Sequence, residues 1–283
     1  MPVRQTQNFG ALALLALLTV LVYTPYAGAH PGCDNPNHKP IIRPAFVDSL
    51  KINFRVQPCC ASSLDACAKQ KPNCTIARRL VSFVNWMDST GGRFSEENMA
   101  GILQQRYTTF IDTKRYTADQ KGWPVIGDRN APLTVMMYFS GTCPMCKTNF
   151  RDLHREVTNG RLKGRVNIVC KPFGTGLANR ALTAAYDAGR FSDFMLALAN
   201  VQGRIDEEVL LSIADMMLFD RHAFKNLMDK PELAARVEKS SQEADKNGVT
   251  HVPTYFIGGQ RYTSILDPRW IIDAIEYIME TRK

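Results

Sequence analysis

The sequence of 283 residues has no block of lysines and arginines interleaved with aromatic residues, although its formal net charge is +8. Its basic residues are spread along the chain, which argues against a nucleic-acid partner. It also has no internal repeat and no low-complexity tract. Gly174-Thr175-Gly176 lacks the third glycine of a dinucleotide-binding loop, so we interpret this segment as a turn. We expect no cofactor. The length is typical of one large or two small globular domains.

The N-terminus lacks an apolar run of the length that a membrane span needs, because residues 11–22 fall short of about 20 residues. Arg4 precedes this run, and Ala27-Gly28-Ala29 follows it as a small-residue cleavage signal. The pattern predicts a signal peptide over residues 1–29 and export, most simply to the periplasm. No convincing lipobox precedes Cys33. A retained N-terminal membrane anchor is the alternative.

Cysteines are plentiful and all lie in the part of the chain that we expect to be exported. They are Cys33, Cys59, Cys60, Cys67, Cys74, Cys143, Cys146 and Cys170. An even number of cysteines outside the cytoplasm favours disulfides. Cys143 and Cys146 form a Cys-x-x-Cys pair, and the other six are candidates for disulfides whose connectivity the sequence does not specify.

Four segments follow the predicted signal peptide. Residues 30–58 are rich in proline and asparagine and are expected to be largely irregular. Residues 59–110 contain four cysteines and two amphipathic helical patterns, which predict a small Cys-rich helical module. Polar residues and glycines indicate a linker over residues 111–131. Residues 132–283 alternate between strand and helix patterns, which predicts an α/β domain.

The pattern of the α/β segment predicts its elements in order. They are a strand over 133–139 that is apolar on both faces, a helix over about 144–158, a strand over 165–170, several helices within 177–247, a hairpin of strands over 254–257 and 260–265, and a final helix from 268 to 278.

Cys143-Pro144-Met145-Cys146 carries chemistry because it lies between the first of these strands and the helix that follows. A helix N-terminus stabilises a thiolate, and the second sulfur of such a pair can resolve a mixed disulfide. We expect Cys143 to be the attacking thiolate and Cys146 the resolving thiol, with Pro144 in the first helical turn. A structural disulfide and half of a zinc site are the alternatives, although the sequence has no second Cys-x-x-Cys pair.

Four segments of the chain share their order and their residues with one known family. They are 127–135, 139–146 with the Cys-x-x-Cys pair, 184–191, and 248–259 with Val252-Pro253-Thr254. They resemble the DsbA-like group of thiol:disulfide oxidoreductases. The resemblance covers about residues 127–283 and implies a thioredoxin-like fold with a helical insertion over about 177–247. It also implies protein thiols and disulfides as substrates, and it makes a membrane redox partner a candidate.

The same resemblance implies roles for the residues around the cysteine pair. Pro253 is expected to be cis and to lie beside the dithiol, where Val252 and Thr254 would face an extended peptide and Pro144 and Met145 would contact it. An ordinary proline at the edge of a strand is the alternative for Pro253. Met145 departs from the oxidants of this family, which carry histidine here. The disulfide is therefore expected to be less oxidising, and oxidase, isomerase and reductase activities all stay open.

The front segment has a second, weaker resemblance. Ala77-Arg78-Arg79-Leu80 and Arg106-Tyr107 resemble parts of the CcmH-type domain of cytochrome c maturation, whose Cys-x-x-Cys pair is absent here. Its cysteines are candidates for structural disulfides, for a relay to Cys143–Cys146, or for a thiolate metal site if one helix ran through Cys60, Cys67 and Cys74. Cys170 is either a plain buried cysteine or a bridge to Cys33 or to this segment. A thiol-based assembly or metal-handling factor working through the N-terminal cysteines is therefore the alternative function.

Overall fold

The computed structural model describes residues 44–54, 60, 62–90 and 93–281. These residues belong to one compact unit. The predicted signal peptide over 1–29, Cys33 and Cys59 lie outside the described residues. Within the described ranges, no helix combines the length and the apolar character that crossing a membrane would require.

The secondary structure begins with helices and continues with alternating strands and helices. The helices are α1 (Pro44–Asn53), α2 (Leu64–Gln70), α3 (Thr75–Ser89), α4 (Glu96–Gln105), α5 (Pro144–Thr158), α6 (Leu177–Asp187), α7 (Phe191–Ala199), α8 (Glu207–Met216), α9 (Arg221–Met228), α10 (Pro231–Lys246) and α11 (Pro268–Thr281). The strands are β1 (Ile111–Arg115), β2 (Val125–Gly127), β3 (Leu133–Phe139), β4 (Val166–Pro172), β5 (Thr254–Ile257) and β6 (Gln260–Tyr262).

One mixed sheet organises the α/β part of the chain, with the strand order β1-β6-β5-β3-β4-β2. The central strand β3 pairs parallel with β4 and antiparallel with β5. Alternate residues of β3 face opposite layers, so Met137 packs in the core that includes α5, and Tyr138 packs on the side of α10. Burial on both faces explains the continuous apolar run that predicts this strand. The predicted α/β architecture with a helical insertion is confirmed.

Two predictions about irregular segments are wrong. Residues 111–131, predicted as a linker, contain β1 and β2, which complete the two edges of the sheet. Residues 30–58, predicted as irregular, contain helix α1. Both strands are short, and β1 is largely exposed. Their pairing with β6 and β4 depends on distant residues, so the local sequence carries little periodic signal.

The front helices α1 to α4 pack around their own hydrophobic cluster, which also takes in Trp270 of α11. Cys60 and Cys67 form a disulfide, and Cys74 is disulfide-bonded as well. No single helix runs through these three cysteines, because α2 ends before Cys74, whose sulfur caps α3. The helical arrangement on which the metal-site hypothesis depended is therefore wrong. Cys170 is free and fully buried, so of the two alternatives for this residue the plain buried cysteine is confirmed and the bridge is excluded.

A buried arginine joins the front helices to α11. The Arg106 guanidinium donates to the Trp270 carbonyl at 2.8 Å and to Asp273 Oδ2 at 2.7 Å. It also lies 5.0 Å from the ring centroid of Phe83 in α3. Because its side chain has no exposed surface, these partners replace its hydration. Arg79 of α3 pairs with the same carboxylate of Asp273.

Replacing Arg106 by leucine should lower the free energy of unfolding by about 3 kcal/mol, because the largely buried Asp273 loses a cationic partner. Urea denaturation measures this loss. The control is Lys69→Leu, which removes the exposed pair with Asp65 and should change the free energy by less than about 0.5 kcal/mol. Equal losses in the two variants would contradict the central role of Arg106.

Candidate active site

The strand β3 delivers Cys143 to the N-terminus of α5. After Phe139 the chain turns through residues 140–142, and Cys143 becomes the N-cap of the helix. Its sulfur accepts a hydrogen bond from the backbone N–H of Cys146 at 3.2 Å. Pro144 occupies the first helical turn, where a missing N–H costs no hydrogen bond. The apolar face of α5 anchors this helix against the sheet through residues such as Phe150.

The two sulfurs of the pair lie in different environments. Cys143 is half-buried, and its pKa is lowered to about 7, first by a hydrogen bond from the Cys146 thiol and then by the N–H groups of Cys146 and Met145. Burial opposes this shift, and the positive charge of Lys147 adds to it. Cys146 is fully buried, and burial raises its pKa. The first sulfur is therefore the more accessible and the more acidic, which fits a nucleophile followed by a resolving thiol.

The loop before β5 lies against the pair. The Val252–Pro253 peptide bond is cis, as the resemblance implies. The Cys143 thiol donates to the Val252 carbonyl at 3.6 Å. Thr254 follows in β5, which pairs with β3, and its hydroxyl donates to the His251 carbonyl at 2.6 Å. The structure thus brings together two segments that are more than a hundred residues apart in the sequence.

The remaining candidates lie around this contact with different exposures. Pro144 is exposed, whereas Met145 and Val252 are half-buried. Pro144 and Met145 directly follow Cys143, and the Val252 carbonyl accepts from its thiol. The Thr254 side chain is buried. His251 is exposed, and its ring shares a hydrogen bond with the neighbouring Thr250 at 3.2 Å.

Sequence reasoning missed Lys147, the residue directly after the pair. It is buried although charged, and its ammonium donates to the Val201 carbonyl at 3.1 Å, beyond the end of α7. Burial lowers the pKa of Lys147, while the Cys143 thiolate acts in the opposite direction. One turn later, Arg151 donates to the Ala199 carbonyl at 3.0 Å. A lysine on the apolar face of α5 was the signal that could have identified it.

A second buried contact lies beneath the pair. The Asn149 side chain donates to the Tyr255 hydroxyl at 3.0 Å and to the Leu266 carbonyl at 2.9 Å. Tyr255 is fully buried, and burial together with nearby Cys146 raises the pKa of its phenol. The phenol therefore stays protonated and neutral next to the resolving cysteine.

A buried ion pair occupies the opposite face of the sheet. Lys171 Nζ of β4 lies 2.5 Å from Glu243 Oε1 of α10, and the Tyr138 hydroxyl donates to the same oxygen at 2.7 Å. Lys171 also donates to the Asp119 carbonyl at 2.6 Å. The pair borders a cavity of about 150 Å³. No periodic pattern predicts this pairing, because its members come from distant elements.

Metal binding at the pair would require further ligands. Within the described ranges, no group of three or more histidine, cysteine, aspartate or glutamate residues is arranged to hold a metal ion.

One known family matches the part of the chain that contains this site. The thioredoxin family model matches residues 119–276, which is more than half of the chain. The match includes the Cys143–Cys146 pair, the helical insertion and the loop of Pro253. It begins ahead of β2, in the segment that we predicted to be a linker.

Curated relatives and solved structures agree with the family match. Disulfide bond formation protein D of Bacillus subtilis is 27% identical over 170 residues, which is 55% of this chain and 77% of that protein. A thioredoxin-like oxidoreductase from Silicibacter pomeroyi has a TM-score of 0.50 at 25% identity, covering 57% of this chain and 94% of that one. Oxidised BdbD from Bacillus subtilis has a TM-score of 0.52 at 24% identity, covering 60% and 99%.

One relative is a much longer protein. The Na(+)/H(+) antiporter NhaA 1 of Salinispora arenicola is 30% identical over 143 residues, which is 49% of this chain. The match covers 22% of the length of that antiporter, so this chain spans less than a quarter of it.

Alkylation of the reduced protein by iodoacetamide should accelerate with rising pH around a midpoint of about 7, because the thiolate of Cys143 is the reacting form. Below this pH the sulfur is protonated and the rate should fall. Cys143→Ser should remove this phase, and the buried Cys170 should not react in the folded protein. A midpoint close to that of an ordinary thiol, about 8.5, would contradict the described environment.

Proposed function

This chain belongs to the thioredoxin family, and on that premise we propose that it is an exported thiol:disulfide oxidoreductase acting on protein substrates. The observation that carries the proposal is the contact of Cys143, half-buried and with a lowered pKa, with the Val252 carbonyl on one side and buried Cys146 on the other. Export is supported by the signal-peptide pattern of residues 1–29.

The proposed cycle uses two thiol–disulfide exchanges. The Cys143 thiolate attacks one sulfur of a substrate disulfide, forming a mixed disulfide and releasing the other substrate sulfur as a thiolate, which takes up a proton. The Cys146 thiol then loses its proton and attacks the Cys143 sulfur. This step releases the second substrate thiolate and leaves a Cys143–Cys146 disulfide. The same steps in reverse oxidise a substrate dithiol and return the pair to its reduced form.

Substrate contacts are proposed on the accessible side of Cys143. The carbonyl of Val252 can accept an N–H from an extended peptide, and the backbone of Thr254 continues the same edge. Pro253 has no N–H and separates these two groups. Pro144 and Met145 supply apolar surface next to the sulfur. This arrangement selects an extended peptide around the substrate cysteine, with little demand on its sequence.

The direction of electron flow depends on how strongly the reduced pair is stabilised. Thioredoxin-fold proteins span reduction potentials from about −270 to about −120 mV. The Met145 side chain has no N–H or O–H to donate to the Cys143 thiolate, so stabilisation comes from the Cys146 thiol, the backbone N–H groups of Met145 and Cys146, and Lys147. We propose a pair less oxidising than one with histidine at this position. Oxidase, isomerase and reductase activities are each compatible with this pair.

The front cysteines are proposed to be structural. Cys67 is fully buried in the core of the front helices, and Cys74 is bonded while its sulfur caps α3. Each therefore has a packing role that does not require redox exchange. A small helical module with a limited core gains stability from such cross-links.

Two cysteine variants test the proposed activity with a peptide disulfide as the substrate. Cys143→Ser should abolish exchange, because it removes the attacking sulfur. Cys146→Ser should accumulate a mixed disulfide that is visible on a non-reducing gel, because the resolving thiol is missing.

The control is Cys170→Ser, which should retain the exchange rate because Cys170 is buried and lies outside the dithiol pair. Full exchange activity in the Cys143→Ser variant would contradict the proposed function.

A further inference from the structure

A buried asparagine at the start of α6 connects the active-site loop to the helical insertion. Asn179 Oδ1 accepts the backbone N–H of Gly141 at 2.8 Å. Its Nδ2 donates to the carbonyls of Phe173 and Gly174 at 2.9 and 2.7 Å. The side chain is 2% exposed, so water does not replace these partners. One side chain thus holds the loop before Cys143 and the loop after β4 together.

The packing around Gly141 shows how closely this loop lies on α6. A Cβ atom at Gly141 would lie 2.9 Å from Ala178 Cβ and 2.9 Å from Leu182 Cδ1. Real carbon atoms do not approach so closely, so the position accepts only glycine without a shift of the loop or of α6. Gly141 is only two residues before Cys143, so a displacement of Gly141 would also displace the nucleophile.

The loop after β4, which Asn179 bonds through the carbonyls of Phe173 and Gly174, is also bonded to β3 and α10. The Gly174 N–H donates to Ser241 Oγ of α10 at 2.8 Å, and the Phe173 N–H donates to the Phe139 carbonyl at the end of β3 at 2.8 Å. The second loop is therefore fixed to the sheet and to the insertion. In the described part of the chain, only the Asn179 side chain bonds both to this loop and to the active-site loop before Cys143. It therefore couples the active-site loop to the fixed loop after β4.

We propose that Asn179 is a positioning residue that holds Cys143 at the N-cap of α5 and thereby sets how readily the Cys143–Cys146 disulfide is reduced. This inference deepens the proposed function and rests on it. Asn179 does not touch the sulfur. It acts through Gly141, whose position determines whether the Cys143 sulfur stays 3.2 Å from the Cys146 N–H.

The direction of the effect follows from which redox form uses that hydrogen bond. The Cys146 N–H stabilises the thiolate, which exists only in the reduced protein. A looser loop would weaken this bond, raise the pKa of Cys143 and make the disulfide harder to reduce. Loss of about one hydrogen bond corresponds to roughly a five-fold change in an equilibrium constant.

The test compares Asn179→Ala with Asn167→Ala. Asn167 is a matched control because it is also buried, lies in β4, and donates to two backbone carbonyls, those of Asp128 at 3.1 Å and Arg129 at 3.4 Å. Both variants should lose stability in urea denaturation. Redox equilibration with glutathione and the pH profile of Cys143 alkylation then separate the two.

Asn179→Ala should shift the glutathione equilibrium by about five-fold towards the disulfide and move the alkylation midpoint upward. Asn167→Ala should leave both unchanged. If Asn179→Ala destabilises the protein but moves neither redox reading, Asn179 is only structural and the proposal is wrong. A shift of equal size in Asn167→Ala would overturn it too, because general loosening would then explain the change.

Gly141→Ala tests the same contact from the loop side and serves if Asn179→Ala does not fold. Its added methyl group pushes the loop away from α6, so the same shift towards the disulfide is expected. An unchanged equilibrium in this variant would contradict the proposal. These readings use small thiols and need no protein substrate, so failure of the proposed activity would be seen separately in the peptide-disulfide assay.

Discussion

The hydrogen bond from the Cys146 N–H to the Cys143 sulfur is the interaction on which the site depends. It makes Cys143 the cap of α5, so the sulfur that reacts also ends the helix that supports it. The rest of the fold keeps this geometry in place. The strand β3 fixes the start of the turn, the apolar face of α5 fixes the helix, and the loop of Val252 closes the opposite side.

The helical insertion and the front helices attach to this core in different ways. The insertion contacts the active-site region directly. Asn179 of the insertion bonds to the loop at Gly141, and Lys147 and Arg151 of α5 donate to backbone carbonyls of the insertion. The front helices attach at α11, where Arg106 and Trp270 are buried together. Because Arg106 has no exposed surface, these helices are part of the same folded unit as the sheet.

Sequence reasoning succeeded where the local pattern and the buried face coincide. The ends of β3, of α5 and of β5 were predicted to the residue, because each is a continuous apolar or amphipathic run with a clear start signal. It failed for β1, β2 and α1. These elements are short, and β1 and β2 gain their hydrogen bonds from strands far along the chain. For the site, the two cysteines and Pro253 were identified, whereas Lys147 and Asn179 were not.

The sequence by itself determined the chemistry, because two cysteines at a helix start permit thiol exchange and Val252-Pro253-Thr254 indicates the fold that uses it. Tertiary structure alone decided which distant groups lie against this site. The Val252 carbonyl at the Cys143 sulfur and the Asn179 side chain at the Gly141 N–H come from residues 109 and 38 positions away, whereas the Cys146 N–H and the charge of Lys147 are local. The long-range contacts form only when the chain is packed, and burial strengthens their hydrogen bonds because the local dielectric constant is low.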